Sequence, residues 1–269
     1  MTIRELEVGD GTRLAYHVAG PDDPAAPTLV FANALGTTMS IWDAVVADLP
    51  AGLRILRYDM RGHGKSSVPQ PPYTMGTLIS DAAAVCDAAD ARDVMFVGLS
   101  VGGMVAQGLA IKRPDLIRAL VLSNTAARIG HAAVWQDRIE AVRRSGLAAM
   151  ADAVLDRWFA GEARHGTAAE TCRDMLLGMS PDGYVGVCAA ISGTDFYTTT
   201  ASLRCPTLGI AGSEDKSTPP DLVRETVDLI PGSQFVLIRR AGHLPCVDQP
   251  TAFAGHLRDF VTATGHMAV

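Results

Sequence analysis

Val97-Gly98-Leu99-Ser100-Val101-Gly102-Gly103 is the stretch on which the reading of this chain turns. The residues before it, Met95-Phe96-Val97-Gly98, form a short apolar run of the kind that makes a buried strand, and Val101–Lys112 after it carries a helical pattern. A Gly-x-Ser-x-Gly between strand and helix sets its serine on a sharp, strained turn. Small residues flank it because larger ones would collide with the turn's neighbours. The helix beginning just after Ser100 points its free amide ends toward any negative charge that forms nearby. The same pattern arises by chance in glycine-rich chains, and this one has 26 glycines. The strand before and the helix after are what separate an elbow from a coincidence.

Working outward, the alternation continues on both sides. Apolar runs at Thr28–Ala32, Arg54–Tyr58 and 119–122 read as further buried strands, and Gly9-Asp10-Gly11 reads as a turn joining strands at 5–8 and 13–18. Helical stretches lie between them, around 42–49 and 77–89. Strand and helix in series imply a parallel sheet covered on both faces. After Thr125 the pattern changes: residues 128 to 198 hold helix-period stretches such as 133–144 and 147–159, with no convincing strand. Alternation resumes with a strand at 207–211, a helix at 220–229, a strand at Gln234–Ile238 and a last helix at 250–264. The chain thus divides into an α/β core, residues 1–127 and 199–269, and a helical cap, residues 128–198, too long for an ordinary loop.

The 269 residues are 48% hydrophobic and 19% charged, which excludes a disordered chain and allows one sizeable core. A net charge of −6 argues against a nucleic-acid or anionic-membrane partner. No run approaches the ~18 apolar residues of a membrane span, and the amino terminus alternates polar and apolar residues without a signal-peptide core. Five scattered cysteines (Cys86, Cys172, Cys188, Cys205, Cys246), never spaced C-x-x-C, read as thiols in a reducing compartment rather than a disulfide or zinc framework. A cytoplasmic protein acting on a small molecule is the expectation.

A serine hydroxyl is a weak nucleophile near neutral pH and needs a base, which in turn needs an orienting acid. On this strand–turn–helix plan the order along the chain is serine, acid, histidine. The acid follows a late strand, where Gly212-Ser213-Glu214-Asp215 offers two carboxylates. Spacing alone leaves both open; resemblance to related sequences, in which a Gly-x-x-Asp loop places the acid, implies Asp215, with Glu214 a solvated loop residue. The base follows the last strand, at Ala241-Gly242-His243-Leu244-Pro245. The remaining histidines have plainer readings: His63 sits in a glycine-rich turn as a structural residue, and His17, His131, His165, His256 and His266 lack the position. Two backbone N–H groups should hold the developing oxyanion, those of Val101 and of Leu35 in Asn33-Ala34-Leu35-Gly36.

With these parts in place the chain resembles the α/β-hydrolase superfamily over essentially its whole length. The turn Asp59-Met60-Arg61-Gly62-His63-Gly64-Lys65-Ser66 adds to the elbow, the acid loop and the late histidine. A serine at the elbow weighs against the epoxide hydrolases and haloalkane dehalogenases, which use aspartate there. The loop Asn33-Ala34-Leu35-Gly36-Thr37-Thr38, leading to Trp42, departs from the common His-Gly pair and is similar to that of the 3-oxoadipate enol-lactonases. Leu122-Ser123-Asn124-Thr125-Ala126-Ala127 and Ala132-Ala133-Val134-Trp135-Gln136-Asp137-Arg138-Ile139 look like theirs as well.

The resemblance implies an α/β-hydrolase fold: a mostly parallel, eight-stranded sheet flanked by helices, with a helical cap. It also implies a serine hydrolase, without metal or organic cofactor, that opens the ring ester of 3-oxoadipate enol-lactone in aromatic-compound degradation. The substrate carries a carboxylate, so a cation is expected in the cap. Arg138, one helical turn from Trp135 on the same face, is the first candidate, and Arg128 the second. Solvated surface arginines and a packing tryptophan are the plain alternatives. The Ser100, Asp215 and His243 set leaves open a carboxylesterase or lactonase of other specificity, a cofactor-free perhydrolase, and a non-catalytic binding protein on the same fold.

Overall fold

The computed structural model describes residues 2–267. Eight strands form one sheet: β1 (Arg4–Glu7), β2 (Arg13–Ala19), β3 (Thr28–Ala32), β4 (Arg54–Tyr58), β5 (Val94–Leu99), β6 (Ile117–Ser123), β7 (Thr207–Gly212) and β8 (Gln234–Ile238). Their order is β1-β2-β4-β3-β5-β6-β7-β8, with β1, β2 and β4 paired antiparallel and the others parallel. This is the mostly parallel sheet that the alternating pattern called for. Strands β3, β4 and β5 are buried along their whole length, as the apolar runs of β3 and β5 require, and β4 buries Arg54 and Arg57 as well.

Helices α1 (Asp43–Ala47), α2 (Met75–Ala88) and α3 (Val101–Lys112) alternate with the strands of the first half. Between β6 and β7 lie α4 (Ala132–Ser145), α5 (Ala151–Trp158), α6 (Thr167–Leu177), α7 (Pro181–Ser192) and α8 (Tyr197–Ala201). Helices α9 (Pro220–Asp228), α10 (Pro245–Asp248) and α11 (Pro250–Ala263) complete the chain. The α2, α3, α8, α9 group packs together, and α1 packs with α10 and α11, so helices cover both faces of the sheet. The rings of Phe31, Trp42 and Phe253 form a row through this second group, with centroids 4.9 and 5.7 Å apart. Among the described residues no helix is long and apolar enough to cross a membrane.

One feature of the topology positions the site. From β3 the chain goes to β4 on one side, and β5 then lies on the other side of β3. Loops leaving the carboxyl ends of β3 and β5 therefore run apart and open a crevice between them, the usual place for a ligand in such sheets. Leu35 follows β3 and Ser100 follows β5.

Candidate active site

Ser100 sits directly after β5 with φ 57° and ψ −119°, a conformation that costs a non-glycine residue strain energy. A Cβ on Gly102 would stand 2.3 Å from the Ala32 carbonyl oxygen, so α3 can start this close to β3 only with glycine there. The backbone of Ser100 is held by its neighbours: its N–H donates to the Ser123 carbonyl at 2.9 Å, and its carbonyl accepts from Thr125 Oγ1 at 2.6 Å. Its side chain makes no cap to α3, although serine is a good capping residue, which leaves the hydroxyl free to serve the cavity. As the first residue of α3, Val101 has no intrahelical acceptor for its N–H.

The structure brings Asp215 and His243 into contact. His243 Nδ1 lies 2.8 Å from Asp215 Oδ2, and both side chains are buried. The Asp215 carboxylate also accepts from Asn124 Nδ2 (2.7 Å), Thr218 Oγ1 (2.8 Å) and the N–H groups of Ser217 (2.7 Å) and Thr218 (3.1 Å). Burial alone would raise its pKa. The His243 charge and the hydrogen bonds from His243, Asn124 and Ser217 outweigh burial and hold the carboxyl below its ordinary value. Glu214 next door is exposed. An ionised acceptor fixed from several directions keeps the imidazole in one orientation, with Nδ1–H toward Asp215 and Nε2 left for a proton from elsewhere.

Leu35 lies in the loop after β3, and its N–H finds no acceptor among the described residues. The next amide, Gly36 N–H, donates to Nε2 of His63 at 3.2 Å, while His63 Nδ1 lies 3.3 Å from the Arg61 carbonyl. Burial lowers the pKa of His63 to about 4, against a smaller upward push from the Arg61 carbonyl. The ring is therefore neutral near pH 7, with the proton on Nδ1 as the two contacts require. His63 thus supports the loop that carries Leu35. Asp59 braces the same region by accepting the N–H groups of Met39 (2.7 Å) and Lys65 (2.9 Å).

Ser100, His243 and Leu35 line one cavity of about 280 Å³. Its other wall comes from the helices between β6 and β7, including Trp135, Arg138, Arg157 and Tyr184, and Lys216 stands at the acid loop. No aspartate or glutamate is among the residues lining it. Arg138 is half-buried, its guanidinium 5.1 Å from the centre of the Trp135 ring, whereas Arg157 and Lys216 are exposed. Neither Arg138 nor Arg157 has a carboxylate partner among the described residues. Trp135 also donates from Nε1 to the Ile129 carbonyl at 2.6 Å, so it packs the wall as well as lining the cavity. Burial pushes Tyr184 up, and the neighbouring Arg138 charge pulls it back only in part.

Arg128 is not brought to this cavity. It pairs with Asp195 at 3.5 Å, bonds His131 and opens onto a different surface hollow, so its charge is already matched. Asn124, Thr218, Arg157 and Lys216 were not singled out in the sequence. Asn124 has a signal of sorts: it directly follows β6 at φ 45°, which asparagine tolerates better than most residues. Thr218 stands three residues after the acid, where a hydroxyl can turn back to it. Nothing in the sequence sets Arg157 or Lys216 apart from solvated cations.

A mostly parallel sheet, an elbow serine after β5 and an aspartate–histidine pair after β7 and β8 define a hydrolase class. The chain belongs to the alpha/beta hydrolase family, whose model matches residues 29–256. Within that family the chain is similar to enol-lactonases and to esterases. It is 34% identical to the 3-oxoadipate enol-lactonase 2 of Acinetobacter baylyi, over 89% of this chain and 90% of that one. The crystal structure of the enol-lactonase from Burkholderia xenovorans LB400 is similar at a TM-score of 0.92 and 36% identity, covering 96% of this chain and 100% of that one. A thermophilic esterase from Thermogutta terrifontis with malate bound is similar at a TM-score of 0.91 and 27% identity, covering 99% and 100%.

Proposed function

We propose that this protein is a serine hydrolase that opens the ring ester of 3-oxoadipate enol-lactone. The observation that carries the reading is the lining of the Ser100 cavity: Arg138, Arg157 and Lys216 face it and no acidic residue does, in a chain of net charge −6. A small ester bearing a carboxylate fits that balance. The likeness to enol-lactonases supports the same substrate.

In this reading Ser100 Oγ attacks the lactone carbonyl while His243 Nε2 takes its proton. Asp215 holds the resulting imidazolium in place. The tetrahedral oxyanion is received by the N–H groups of Leu35 and Val101. The ring C–O bond then breaks, His243 returns the proton, and the leaving group departs as an enol tethered to the acyl chain. An enol leaves more readily than a simple alkoxide, and its tautomerisation to the ketone discourages reclosure. Water, deprotonated by His243, hydrolyses the acyl-enzyme and frees 3-oxoadipate and Ser100. Arg138 anchors the substrate carboxylate, with Arg157 at the mouth. Residues 128–198 act as a cap over a core of residues 1–127 and 199–269. The five free cysteines, four of them buried, fit a reducing cytoplasm.

The class of chemistry is tested by intact mass after treatment with a fluorophosphonate. One adduct is expected, on the Ser100 peptide, and none in Ser100→Ala. An unmodified wild-type protein would remove the serine-hydrolase reading.

A further inference from the structure

Three parts of the molecule meet beside His243. The carbonyl of Trp158, the last residue of α5, accepts the N–H groups of His243 at 2.8 Å and Leu244 at 3.3 Å. The indole of the same residue packs on Gly36, with ring atoms 3.0 Å from where a Cβ would stand. Residue 242 is glycine because a Cβ there would stand 2.4 Å from the Trp158 carbonyl oxygen. The Gly242 residue is gripped from the other side too: its N–H donates to Asp248 Oδ2 at 2.6 Å, and its carbonyl accepts from Asn124 Nδ2 at 3.1 Å. The backbone carrying the imidazole is thus held by α5, by Asn124 and by Asp248.

Asp248 is the member of this junction that no step of the chemistry uses. Its Oδ1 is buried and makes no close hydrogen bond among the described residues, although the Ala160 N–H lends the ionised form electrostatic support. Placing a carboxylate here costs desolvation. What it gains is a charge-assisted bond to a backbone N–H, shorter and stronger than a neutral side chain provides.

We propose that Asp248 is a positioning residue for His243, clamping the Gly242 N–H so that the loop seats against the end of α5 and the imidazole stays aligned between Asp215 and Ser100. The inference rests on His243 being the base. Its effect belongs to the rate rather than to binding, because misplacing a reacting group by about 1 Å costs up to about 100-fold while substrate contacts elsewhere persist.

Burial pushes the Asp248 carboxyl up to about 6, against the Gly242 and Ala160 N–H groups that favour its charge. The titratable groups facing it are Glu214 from the loop after β7, Cys172 from α6 and Cys246 on its own helix. Burial raises both thiols, so they stay neutral, and Glu214 is the other charge that counts. Above pH 6 Asp248 is ionised and the clamp is at full strength. As pH falls through 6 it protonates and the clamp weakens.

The test is the rate of Ser100 phosphonylation by a fluorophosphonate in the full chain, for wild type, Asp248→Asn and Asp248→Ala, followed from about pH 5 to 8 beside each variant's Tm. The wild-type acid limb is expected to need two ionisations. Asparagine keeps an acceptor for Gly242 N–H, so Asp248→Asn should react within about fivefold of wild type at pH 8, with an acid limb that fits one ionisation. Asp248→Ala should react at least about 10-fold more slowly, with KM for a neutral ester unchanged. An alanine variant that reacts at the wild-type rate overturns the proposal. If that variant fails to fold, the asparagine variant decides, and an unaltered two-ionisation limb in it overturns the proposal. A wild-type protein that is never labelled fails differently: it removes the serine-hydrolase reading and this inference with it.

Discussion

At His63 one ring nitrogen decides whether the loop after β3 keeps its shape. Nε2 must accept the Gly36 N–H, and a protonated ring would set donor against donor. Burial lowers this histidine to about 4, so between pH 6.5 and 4 the unfolded chain takes up a proton that the folded chain refuses. Stability is therefore fully present above pH 6.5 and drains away as pH falls toward 4, by up to about 3 kcal/mol. Gln can make both contacts without titrating. Urea unfolding of His63→Gln should thus lose less stability than wild type between pH 7 and 4.5, and identical losses would count against this role. The sequence was most legible at this scale where a residue follows a strand: Ser100 and His243 each stand out from their own local pattern, whereas Asp215 is separated from Glu214 only by likeness to related sequences. Asn124 could not, because the carboxylate it serves lies 91 residues further along the chain. Arg128, the second candidate for a cap cation, lies elsewhere, because the sequence does not show that Asp195 already neutralises it.

Among the elements, the turn at residues 59–67 depends on α2 for its anchorage. Arg61 donates from Nε and Nη2 to both Asp81 oxygens, at 2.5 and 2.7 Å, with both side chains buried, and from Nη1 to Asp10 at 2.8 Å. Removing one partner leaves the other charge buried and poorly matched. Asp81→Asn should therefore cost about 3 kcal/mol in urea unfolding, the half-exposed Asp10 offsetting only part of the loss. A loss below about 0.5 kcal/mol would mean the pair anchors nothing. The strands and α3 were legible because buried apolar runs of that length have few other readings. Helix boundaries were less so: α2 begins at Met75 rather than 77, because Thr74 accepts the Thr77 N–H and caps it early. The stretch 147–159 reads as one helix, whereas the chain makes a tight turn at Ala148–Met150 before α5 starts at Ala151. That turn carries Met150 onto the core cluster, a tertiary contact that periodicity does not encode. Helices α6, α7 and α8 were visible only as a region without strands.

For the molecule as a whole, charge and specificity pull in opposite directions. A surface of net −6 weakly repels a small carboxylate, so the proposed substrate needs local attraction, the role the proposal gives to Arg138 and Arg157 in the helical segment. On the proposed function, the sheet carries the groups that do chemistry and the inserted helices carry those that choose the substrate. The most direct test is kcat/KM for 3-oxoadipate enol-lactone and for p-nitrophenyl acetate, in wild type and in Arg138→Ala. Wild type is expected to favour the lactone by about 100-fold or more, and Arg138→Ala to lose about 10- to 100-fold on the lactone through KM while the neutral ester is unaffected. Comparable wild-type activity on both substrates, or an equal loss on both in the variant, would contradict the account.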